Sequence, residues 1–296
     1  MRLAFTSLSA LTTLAVTSAA LLPPSGTSDG SVGSLLDTPD QLPFGHTPRL
    51  FAGEEDRERV NVTLYVMSRC PDARLCENTF GSVLRSPSVP SKINLSLQFI
   101  GSLNSSSSSP SSSSSLSSPS PWGVECKHGP KECVGNAHQL CLIQHLSGQG
   151  GGKGVEEWFG GVECMNFPSD WPERVGEIAE VERCAKASGA WDRVESCIVG
   201  SESEQGDAQK GEDGLYLTKE ATKLLRDNVK KTEEAGVKTS CTIDIASTLV
   251  SGGRRTCVVD GGIWKGCDDG HTAADFVRVI EAEYKNLHSI SQTTSQ

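Results

Sequence analysis

The sequence predicts a mixed α/β fold in which a β-α-β unit and a β-β-α unit share one sheet. Two apolar-alternating segments, 60–67 and 93–99, flank a segment with helical periodicity near the start of the ordered region. Two short strand-like segments and an amphipathic helix form the C-terminal end of this ordered region. Cysteine-rich helical segments lie between the two units. Strands joined by a β-α-β crossover are parallel, and the crossover is right-handed. We therefore expect a single sheet covered by helices, with a helical insertion.

The first unit depends on a change of hydrophobic period. Residues 60–67 carry Val or Leu at every second position, as half-buried strands do. Segment 73–84 then places Ala73, Phe80 and Leu84 at helical spacing, and Ser86-Pro87 ends it. Segment 93–99 alternates again. These residues predict a strand, a helix and a second, parallel strand.

The insertion is predicted at residues 126–199. The second half of segment 126–141 has helical spacing, and segments 155–167, 177–188 and 191–199 are predicted to be short helices. Each segment contains cysteine, and oxidising compartments favour disulfides. The half-cystines expected to staple this helical subdomain are Cys126, Cys133, Cys141, Cys164, Cys184 and Cys197.

The closing unit comprises a helix at 215–235, strands at 237–245 and 256–259, and a helix at 273–287. Ser251-Gly252-Gly253 predicts a hairpin between the strands, with Cys241 and Cys257 expected to form a cross-strand disulfide. The order β-α-β, helices, β-β-α is that of a thioredoxin-like fold with an inserted disulfide-stapled helical subdomain. The domain is predicted at 60–287, followed by a disordered tail at 288–296.

The N-terminal segments are predicted to be processed or unstructured. Arg2 precedes an apolar stretch that ends in small residues, so residues 1–20 are predicted to be a signal peptide. Residues 21–59 are rich in Pro, Gly and Ser, as flexible leaders are. No later stretch is apolar enough to span a bilayer. The formal charge of −10 without a basic cluster excludes nucleic acid as an expected partner.

Sugar attachment is predicted at three acceptor sequences, which begin at Asn61, Asn94 and Asn104. Residues 102–121 are almost entirely serine and proline, so a disordered insertion is expected there. These features agree with a protein of the secretory pathway.

Cys70 is the principal candidate for a reactive residue. It follows the first predicted strand, and Pro71 is well suited to the first position of a helix. The free amides and dipole at a helix N-terminus stabilise a thiolate. A strand, a cysteine, a proline and a helix form the layout of a thioredoxin-like redox centre. The alternative is a structural half-cystine, although 11 cysteines leave one unpaired in a monomer whose other cysteines all pair.

A second motif has seven residues at fixed spacing: Cys126, His128, Gly129, Glu132, Cys133, Asn136 and Cys141. It resembles the signature of the gamma-interferon-inducible lysosomal thiol reductase family, with Lys127 where that family usually has Gln. Weaker similarity continues through Cys164, Cys184, Cys197 and Asn228. The resemblance covers residues 60–287 apart from the serine-rich and glycine-rich insertions, and it is that of a divergent, fungal-like member.

This resemblance implies an enzyme that reduces protein disulfides through a Cys-x-x-Cys centre in an acidic compartment. It also implies protein disulfide substrates, a small-thiol reductant, no bound cofactor, and a location outside the cell or in the lumen of the lysosome or vacuole. The sequence departs from the pattern because Ala73 replaces the second cysteine and the next cysteine is Cys76. A regular helix rises about 1.5 Å per residue and would place Cys76 beyond the about 7 Å Cα reach of a disulfide with Cys70.

Three mechanisms remain open at this stage. Cys76 resolves the mixed disulfide of Cys70 from an irregular loop, or Cys70 acts alone with a small thiol. In the third, the centre is inactive and the protein is a disulfide-stabilised binding or structural secreted glycoprotein. The first is preferred, with Cys70 as nucleophile and Cys76 as resolving thiol.

A zinc site is a less favoured interpretation of the histidines near the signature. His128, His138 and His145 lie close to its cysteines, but their spacing does not match a structural zinc motif. No metal site is therefore predicted. His128 is expected to fix a turn through a hydrogen bond from its ring.

Overall fold

The computed structural model describes residues 58–104, 120–148, 152–201, 209–210 and 214–293, without side chains for 209–210 and 290–293. The predicted signal peptide, nearly all of the predicted leader and most of the serine-rich insertion lie outside these residues. The strands are β1 (Val60–Val66), β2 (Ile93–Phe99), β3 (Ser102–Leu103), β4 (Val124–Glu125), β5 (Gln209–Lys210), β6 (Tyr216–Leu217), β7 (Thr242–Ala246), β8 (Arg254–Asp260) and β9 (Ile263–Lys265).

The helices of the described residues fall into three groups: one after β1, four in the insertion, and two near the C-terminal end. They are α1 (Pro71–Leu84), α2 (Pro130–Leu146), α3 (Lys153–Asn166), α4 (Ile178–Ala187), α5 (Trp191–Ile198), α6 (Lys219–Ala235) and α7 (Ala273–Thr293).

The main sheet has the strand order β2-β1-β7-β8-β9. Strand β1 pairs in parallel with β2, and Leu64 lies opposite Leu97. It pairs in antiparallel fashion with β7, where Leu64 lies opposite Ile243. A β-α-β unit joined edge to edge with a β-β-α unit is the thioredoxin-like arrangement, so the predicted fold class is confirmed.

Helices cover the sheet because alternate residues of β1, which lie on one face of the strand, are apolar. Val62, Leu64 and Val66 are fully enclosed. Helices α1 and α7 pack together, with the rings of Phe80 and Phe276 5.1 Å apart. Burial of side chains of this size contributes about 1.5–3 kcal/mol each, which fixes α1 against the sheet.

Helix α6 packs beside β2, which is an edge strand of the main sheet. Its buried residue Asn228 accepts a hydrogen bond from the N–H of Phe99 at 2.6 Å and donates one to the carbonyl of Leu97 at 3.0 Å. Thr218 caps the helix by accepting a hydrogen bond from the N–H of Ala221 at 3.0 Å. One amide side chain thus satisfies two backbone groups of the edge strand.

Helices α2 to α5 form the predicted helical insertion. The Cys141–Cys197 disulfide joins α2 to α5, and the Cys164–Cys184 disulfide joins α3 to α4. Helix α2 is buried on nearly all sides, from Glu132 to Leu142. Its polar residues therefore need specific partners inside the protein.

The closing hairpin differs from the prediction in length and pairing. Strand β7 starts at Thr242 rather than at residue 237, and β9 was not predicted. The predicted Cys241–Cys257 disulfide is wrong, because the register places Ile243 opposite Cys257. The N–H of Val259 donates to the carbonyl of Cys241 at 2.8 Å instead.

Two predictions of disorder are also partly wrong. Helix α7 continues to Thr293, so most of the predicted 288–296 tail is helical. Ser102–Leu103, at the start of the predicted serine-rich insertion, pairs with Val124–Glu125 as a two-stranded ladder. Both segments gain backbone hydrogen bonds that a polar composition alone does not reveal.

Candidate active site around Cys70

Cys70 occupies the turn between β1 and α1 and is the N-cap of the helix. Its N–H donates to the carbonyl of Met67 at 2.9 Å, and its carbonyl accepts from the N–H of Arg74 at 3.1 Å. The Sγ atom lies 3.6 Å from the carbonyl oxygen of Ser240 in the loop before β7. Only 8% of the residue is exposed, so the thiol is held between two defined backbone segments.

All 11 cysteines of the chain lie in the described residues, and Cys70 is the unpaired one. The parity argument therefore identified the correct consequence, a single free thiol. The disulfides are Cys76–Cys241, Cys126–Cys133, Cys141–Cys197, Cys164–Cys184 and Cys257–Cys267. The sequence interpretation gave Cys267 no role, although an eleventh cysteine two residues after β9 was a signal that β8 has a partner there.

Cys76 is not the free resolving thiol that the sequence suggested. Helix α1 is regular from Pro71 onward, so Cys76 points from the inner face of the helix and bonds to Cys241, with a Cα–Cα distance of 6.5 Å. The peptide bond between Ser240 and Cys241 is cis. Ala73, at the position of the missing second cysteine, is buried as well. The irregular loop required for a direct Cys70–Cys76 exchange is therefore absent from α1.

The signature motif packs against the turn that carries Cys70. Asn136 on α2 accepts a hydrogen bond from the N–H of Ser68 at 3.0 Å, and its amide nitrogen lies 3.8 Å from the sulfur of Cys126. The hydroxyl of Ser68 donates to the carbonyl of Glu132 at 3.2 Å. A Cβ on Gly135 would come within 2.8 Å of that hydroxyl oxygen, so glycine permits this approach. The signature therefore shapes the entry to Cys70.

The start of α2 has its own local supports. Gly129 is the N-cap with φ +83°, a conformation that glycine adopts without strain. The fully buried carboxylate of Glu132 accepts a hydrogen bond from the N–H of His128 at 3.2 Å and a second, very short one at His128 Nδ1. The predicted turn-fixing contact of the His128 ring is confirmed. The Cys126–Cys133 disulfide closes this same turn.

Arg69, directly before Cys70, joins the site to the α3–α4 loop. Its guanidinium donates to the carbonyl of His128 at 3.1 Å and to that of Pro172 at 3.3 Å. The guanidinium of Arg74 on α1 lies 4.9 Å from the ring centroid of Trp171. Two cationic side chains thus hold the neighbouring loop beside the N-terminus of α1.

Asp72 anchors the β8–β9 turn to the same helix terminus. Its carboxylate accepts hydrogen bonds from the N–H groups of Gly261 at 2.9 Å and Gly262 at 2.7 Å. A negative charge this close to Cys70 would repel a thiolate there. The structure gives the carboxylate two backbone donors of its own, so it has a structural role at the tip of the hairpin.

A cavity of about 640 Å³ lies between the turn that carries Cys126 and the segment that precedes Ser240. Cys126 and Lys127 line one wall, and Val237 and Lys238, just before Ser240, line another. Gly101 and Ser102 form part of its floor. Its size suits a peptide segment rather than a single side chain.

Two enclosed titratable groups lie outside the immediate surroundings of Cys70. Burial raises the pKa of the Glu77 carboxyl to about 8, opposed by a hydrogen bond from Asn166 and reinforced by the charge of Glu163. Burial lowers the pKa of the His138 imidazole to about 4. At neutral pH both side chains are therefore mainly uncharged in the folded protein.

The geometry gives little support to the zinc interpretation. The sulfurs of Cys126, Cys133 and Cys141 are all committed to disulfides. His145, Cys197 and Glu220 approach one another, but Cys197 is bonded to Cys141. Sulfur in a disulfide is not the thiolate that zinc binds.

The predicted acceptor residues Asn61 and Asn94 are exposed neighbours on β1 and β2, with their side chains 3.1 Å apart. Asn104 is the last residue that the structure describes before residue 120. Glycosylation at these residues stays a prediction. In the described parts of the chain, no helix has the length and apolar character needed to cross a bilayer.

Residues 61–188 match the family model described as gamma interferon inducible lysosomal thiol reductase, or GILT. This part of the chain is similar to the GILT family. The matched segment includes Cys70 and the whole signature around α2, so the resemblance seen in the sequence is confirmed. It ends before the loop that carries Ser240 and Cys241.

Three solved structures are similar to this chain at very low sequence identity. Reduced DsbA1 from Neisseria meningitidis has 11% identity and a TM-score of 0.39, covering 81% of this chain and 91% of that one. Alpha-DsbA1 from Wolbachia pipientis has 12% identity and a TM-score of 0.39, with coverages of 78% and 88%. A putative protein disulfide isomerase from Nitrosomonas europaea has 9% identity and a TM-score of 0.41, with coverages of 78% and 100%. No curated protein matches the sequence significantly.

Proposed function

We propose that the protein is a thiol-disulfide oxidoreductase that reduces disulfides of protein substrates, with Cys70 as nucleophile. The observation that carries this proposal is the free thiol of Cys70 at the N-terminus of α1, in a chain whose other ten cysteines are paired. The GILT domain match over 61–188 supports a thiol oxidoreductase in general. The N-terminus of a helix favours the thiolate form of a cysteine.

In the proposed reaction, the thiolate of Cys70 attacks one sulfur of a substrate disulfide. A new bond forms between Cys70 and that sulfur, and the other substrate sulfur leaves as a thiolate that takes up a proton. A thiol then attacks the mixed disulfide and releases the second substrate sulfur. A small-thiol reductant supplies the two electrons of the overall reduction.

The surroundings of Cys70 support binding of an extended substrate segment. The cavity beside Cys126 and Lys238 provides space for a chain. The carbonyl of Ser240, next to the sulfur, belongs to a loop that leads into β7.

Two features favour a second candidate, a catalytically inactive binding or structural glycoprotein. Ala73 occupies the position of a second active-site cysteine, and Cys70 is largely enclosed. Five disulfides would suit a rigid secreted scaffold equally well. The two candidates differ in whether the sulfur of Cys70 reacts in the folded protein.

Mixed-disulfide formation separates these candidates. The mature protein is incubated with oxidised glutathione without reductant, and peptides are mapped by mass spectrometry. We expect a glutathione adduct on Cys70 in the wild type and no adduct in Cys70→Ser. In a second assay, with a small thiol as reductant at acidic and neutral pH, we expect the wild type to reduce insulin. A folded protein that forms no adduct and reduces no insulin would support the binding protein instead.

The proposed location is the secretory pathway, with delivery outside the cell or to a lysosome or vacuole. The five disulfides support an oxidising compartment. The sequence of residues 1–20 supports entry through a signal peptide. Expression of the full chain in a eukaryotic host tests this proposal: we expect a secreted or luminal product whose mobility changes after endoglycosidase treatment.

A further inference from the structure

Two cysteine contacts join the start of α1 to the loop before β7. The sulfur of Cys70 is 3.6 Å from the carbonyl oxygen of Ser240. The next residue, Cys241, is bonded to Cys76 of α1. Ala73 lies on the buried face of the helix between the two helical cysteine positions. The free thiol and the disulfide therefore belong to one packed region.

The Cys76–Cys241 disulfide is enclosed from solvent. Both half-cystines are 0% exposed, whereas Cys70 retains 8% exposure at the surface of the same region. By contrast, Cys164 and Cys267 are partly exposed in their disulfides. An external thiol therefore has direct access to those bonds but not to Cys76–Cys241.

We propose that Cys76–Cys241 is a redox-active disulfide that exchanges electrons through Cys70. This inference rests on the proposed function, in which Cys70 is the nucleophile. It replaces the missing second cysteine of a Cys-x-x-Cys centre with Cys241 from the facing loop. Cys76 then acts behind Cys241, and not directly on Cys70.

The reductive cycle starts from free thiols at all three positions. After Cys70 has formed a mixed disulfide with the substrate, the thiolate of Cys241 attacks the sulfur of Cys70. This step forms a Cys70–Cys241 bond and releases the substrate sulfur as a thiolate, which is protonated. The thiolate of Cys76 then attacks Cys241, re-forms Cys76–Cys241 and frees Cys70.

The net result is transfer of two electrons from the Cys76/Cys241 pair to the substrate disulfide. The structure, with Cys70 free and Cys76–Cys241 bonded, corresponds to the oxidised end of this cycle. Re-reduction of the Cys76–Cys241 pair reverses the internal step. The thiolate of Cys70 attacks Cys241 and releases Cys76, which is protonated to a thiol. Two equivalents of a small thiol then reduce the Cys70–Cys241 bond through Cys70 and become a disulfide themselves.

Native-state reduction tests the dependence on Cys70. Folded wild type and Cys70→Ser are treated with dithiothreitol, quenched with an alkylating agent, and mapped by mass spectrometry over time. We expect Cys76–Cys241 to open at least about tenfold more slowly in Cys70→Ser, because the internal attacking thiolate is absent. The Cys257–Cys267 disulfide is the internal control and should open at the same rate in both proteins.

Trapping provides a second test that does not require reduction. In Cys76→Ser, Cys241 loses its partner and should form a Cys70–Cys241 disulfide under mild oxidation. The matched control is Cys267→Ser, in which the released Cys257 should not bond to Cys70. Circular dichroism and the remaining disulfides establish that each variant is folded.

Equal opening rates in wild type and Cys70→Ser, or free alkylatable Cys70 and Cys241 in folded Cys76→Ser, would overturn the relay. Failure of the relay and failure of the proposed function are distinguishable. If Cys70 forms a glutathione adduct but no Cys70–Cys241 bond is found, Cys70 is still the nucleophile and the relay is wrong. If the Cys70–Cys241 bond forms but Cys70 does not react with external disulfides, the proposed reductase function is wrong.

Discussion

Asn136 and Ser68 are joined by a hydrogen bond of 3.0 Å from the backbone N–H of Ser68 to the side-chain oxygen of Asn136. Both residues are buried, and Ser68 is two residues before Cys70. This bond connects the buried helix α2 directly to the turn that presents the free thiol. A defect at Asn136 should therefore reach the geometry of Cys70.

Asn136→Ala is expected to lower the free energy of unfolding by about 1–3 kcal/mol, because the N–H of Ser68 loses its buried acceptor. It should also slow the reaction of Cys70 with oxidised glutathione, since the preceding turn is no longer held. Urea denaturation and timed mass spectrometry measure the two effects.

Asn228→Ala is the matched control for Asn136→Ala. Asn228 is also a buried helical asparagine that binds strand backbone, but its partners Leu97 and Phe99 lie on β2. Its replacement should reduce stability by a similar amount and leave the rate at Cys70 unchanged. If both variants react at the wild-type rate, Asn136 does not position the thiol.

Glu77 should make the protein less stable as pH rises. The pKa of its carboxyl is raised by burial from 4.5 to about 8, so the neutral form is the one that the fold favours. This contribution is fully present below about pH 4.5 and is lost as pH rises through about 8, at up to about 1.4 kcal/mol per pH unit. Glu77→Gln should remove this decline in thermal stability between pH 7 and 8.

The matched control for Glu77→Gln is Glu195→Gln, which changes an exposed glutamate on α5. It should retain the wild-type dependence of the melting temperature on pH. A decline of the same size in Glu77→Gln as in the wild type would assign the effect to other groups.

His138 should act in the opposite direction at lower pH. The pKa of its imidazole is lowered by burial from 6.5 to about 4, so the fold favours the neutral ring. Its contribution is present above about pH 6.5 and is lost as pH falls through about 4. His138→Leu should therefore shift the acid-unfolding midpoint to lower pH, measured by far-ultraviolet circular dichroism.

His145→Gln serves as the comparison for His138→Leu, because His145 is only half-buried and its ring contacts Glu220 near the surface. It should leave the acid midpoint near that of the wild type. An unchanged midpoint in His138→Leu would show that protonation of His138 is not coupled to unfolding.

Together, Glu77 and His138 predict a specific shape for the stability profile. As pH falls from about 6.5 to 4.5, the contribution of His138 to the free energy of unfolding decreases while that of Glu77 increases, so the two changes offset each other. Above pH 6.5 only Glu77 changes, and its contribution falls. The pair therefore favours a broad stability plateau in mildly acidic solution, which suits the proposed luminal location.

Asp72→Ala is expected to loosen the tip of the β8–β9 hairpin. The N–H groups of Gly261 and Gly262 lose their carboxylate acceptor and should exchange with solvent faster, as measured by NMR hydrogen exchange. Global stability should change by less than about 1 kcal/mol, because the contact is exposed. Asp72→Asn retains one acceptor oxygen and should give partial protection; full protection in Asp72→Ala would contradict the anchoring role.

Local sequence signals predicted the elements that depend on neighbouring residues. The bounds of β2 were predicted without error, and β1 to within one residue, because apolar alternation is a local property. Pro71 correctly placed Cys70 at the start of α1. The fixed spacing around Asn136 predicted the similarity to the GILT family model, because the motif is contained in a single turn and helix.

Long-range partners could not be predicted in the same way. Cys76 and Cys241 are 165 residues apart, so their bond depends on how α1 approaches the loop before β7. The error at Cys257 arose from an unseen strand register, which directs Cys257 toward Cys267. The buried contacts of Asn136 likewise require the tertiary packing of α2 against the Ser68 turn.

The bonds from Asn228 to β2 also affect how the protein meets other copies of itself. An outer strand with open amides and carbonyls is a template for pairing with strands of other molecules. Here the side chain of Asn228 occupies the N–H of Phe99 and the carbonyl of Leu97, and α6 lies alongside. A foreign strand would have to displace that helix before it could extend the sheet, so the contact protects the protein from aggregation through this edge.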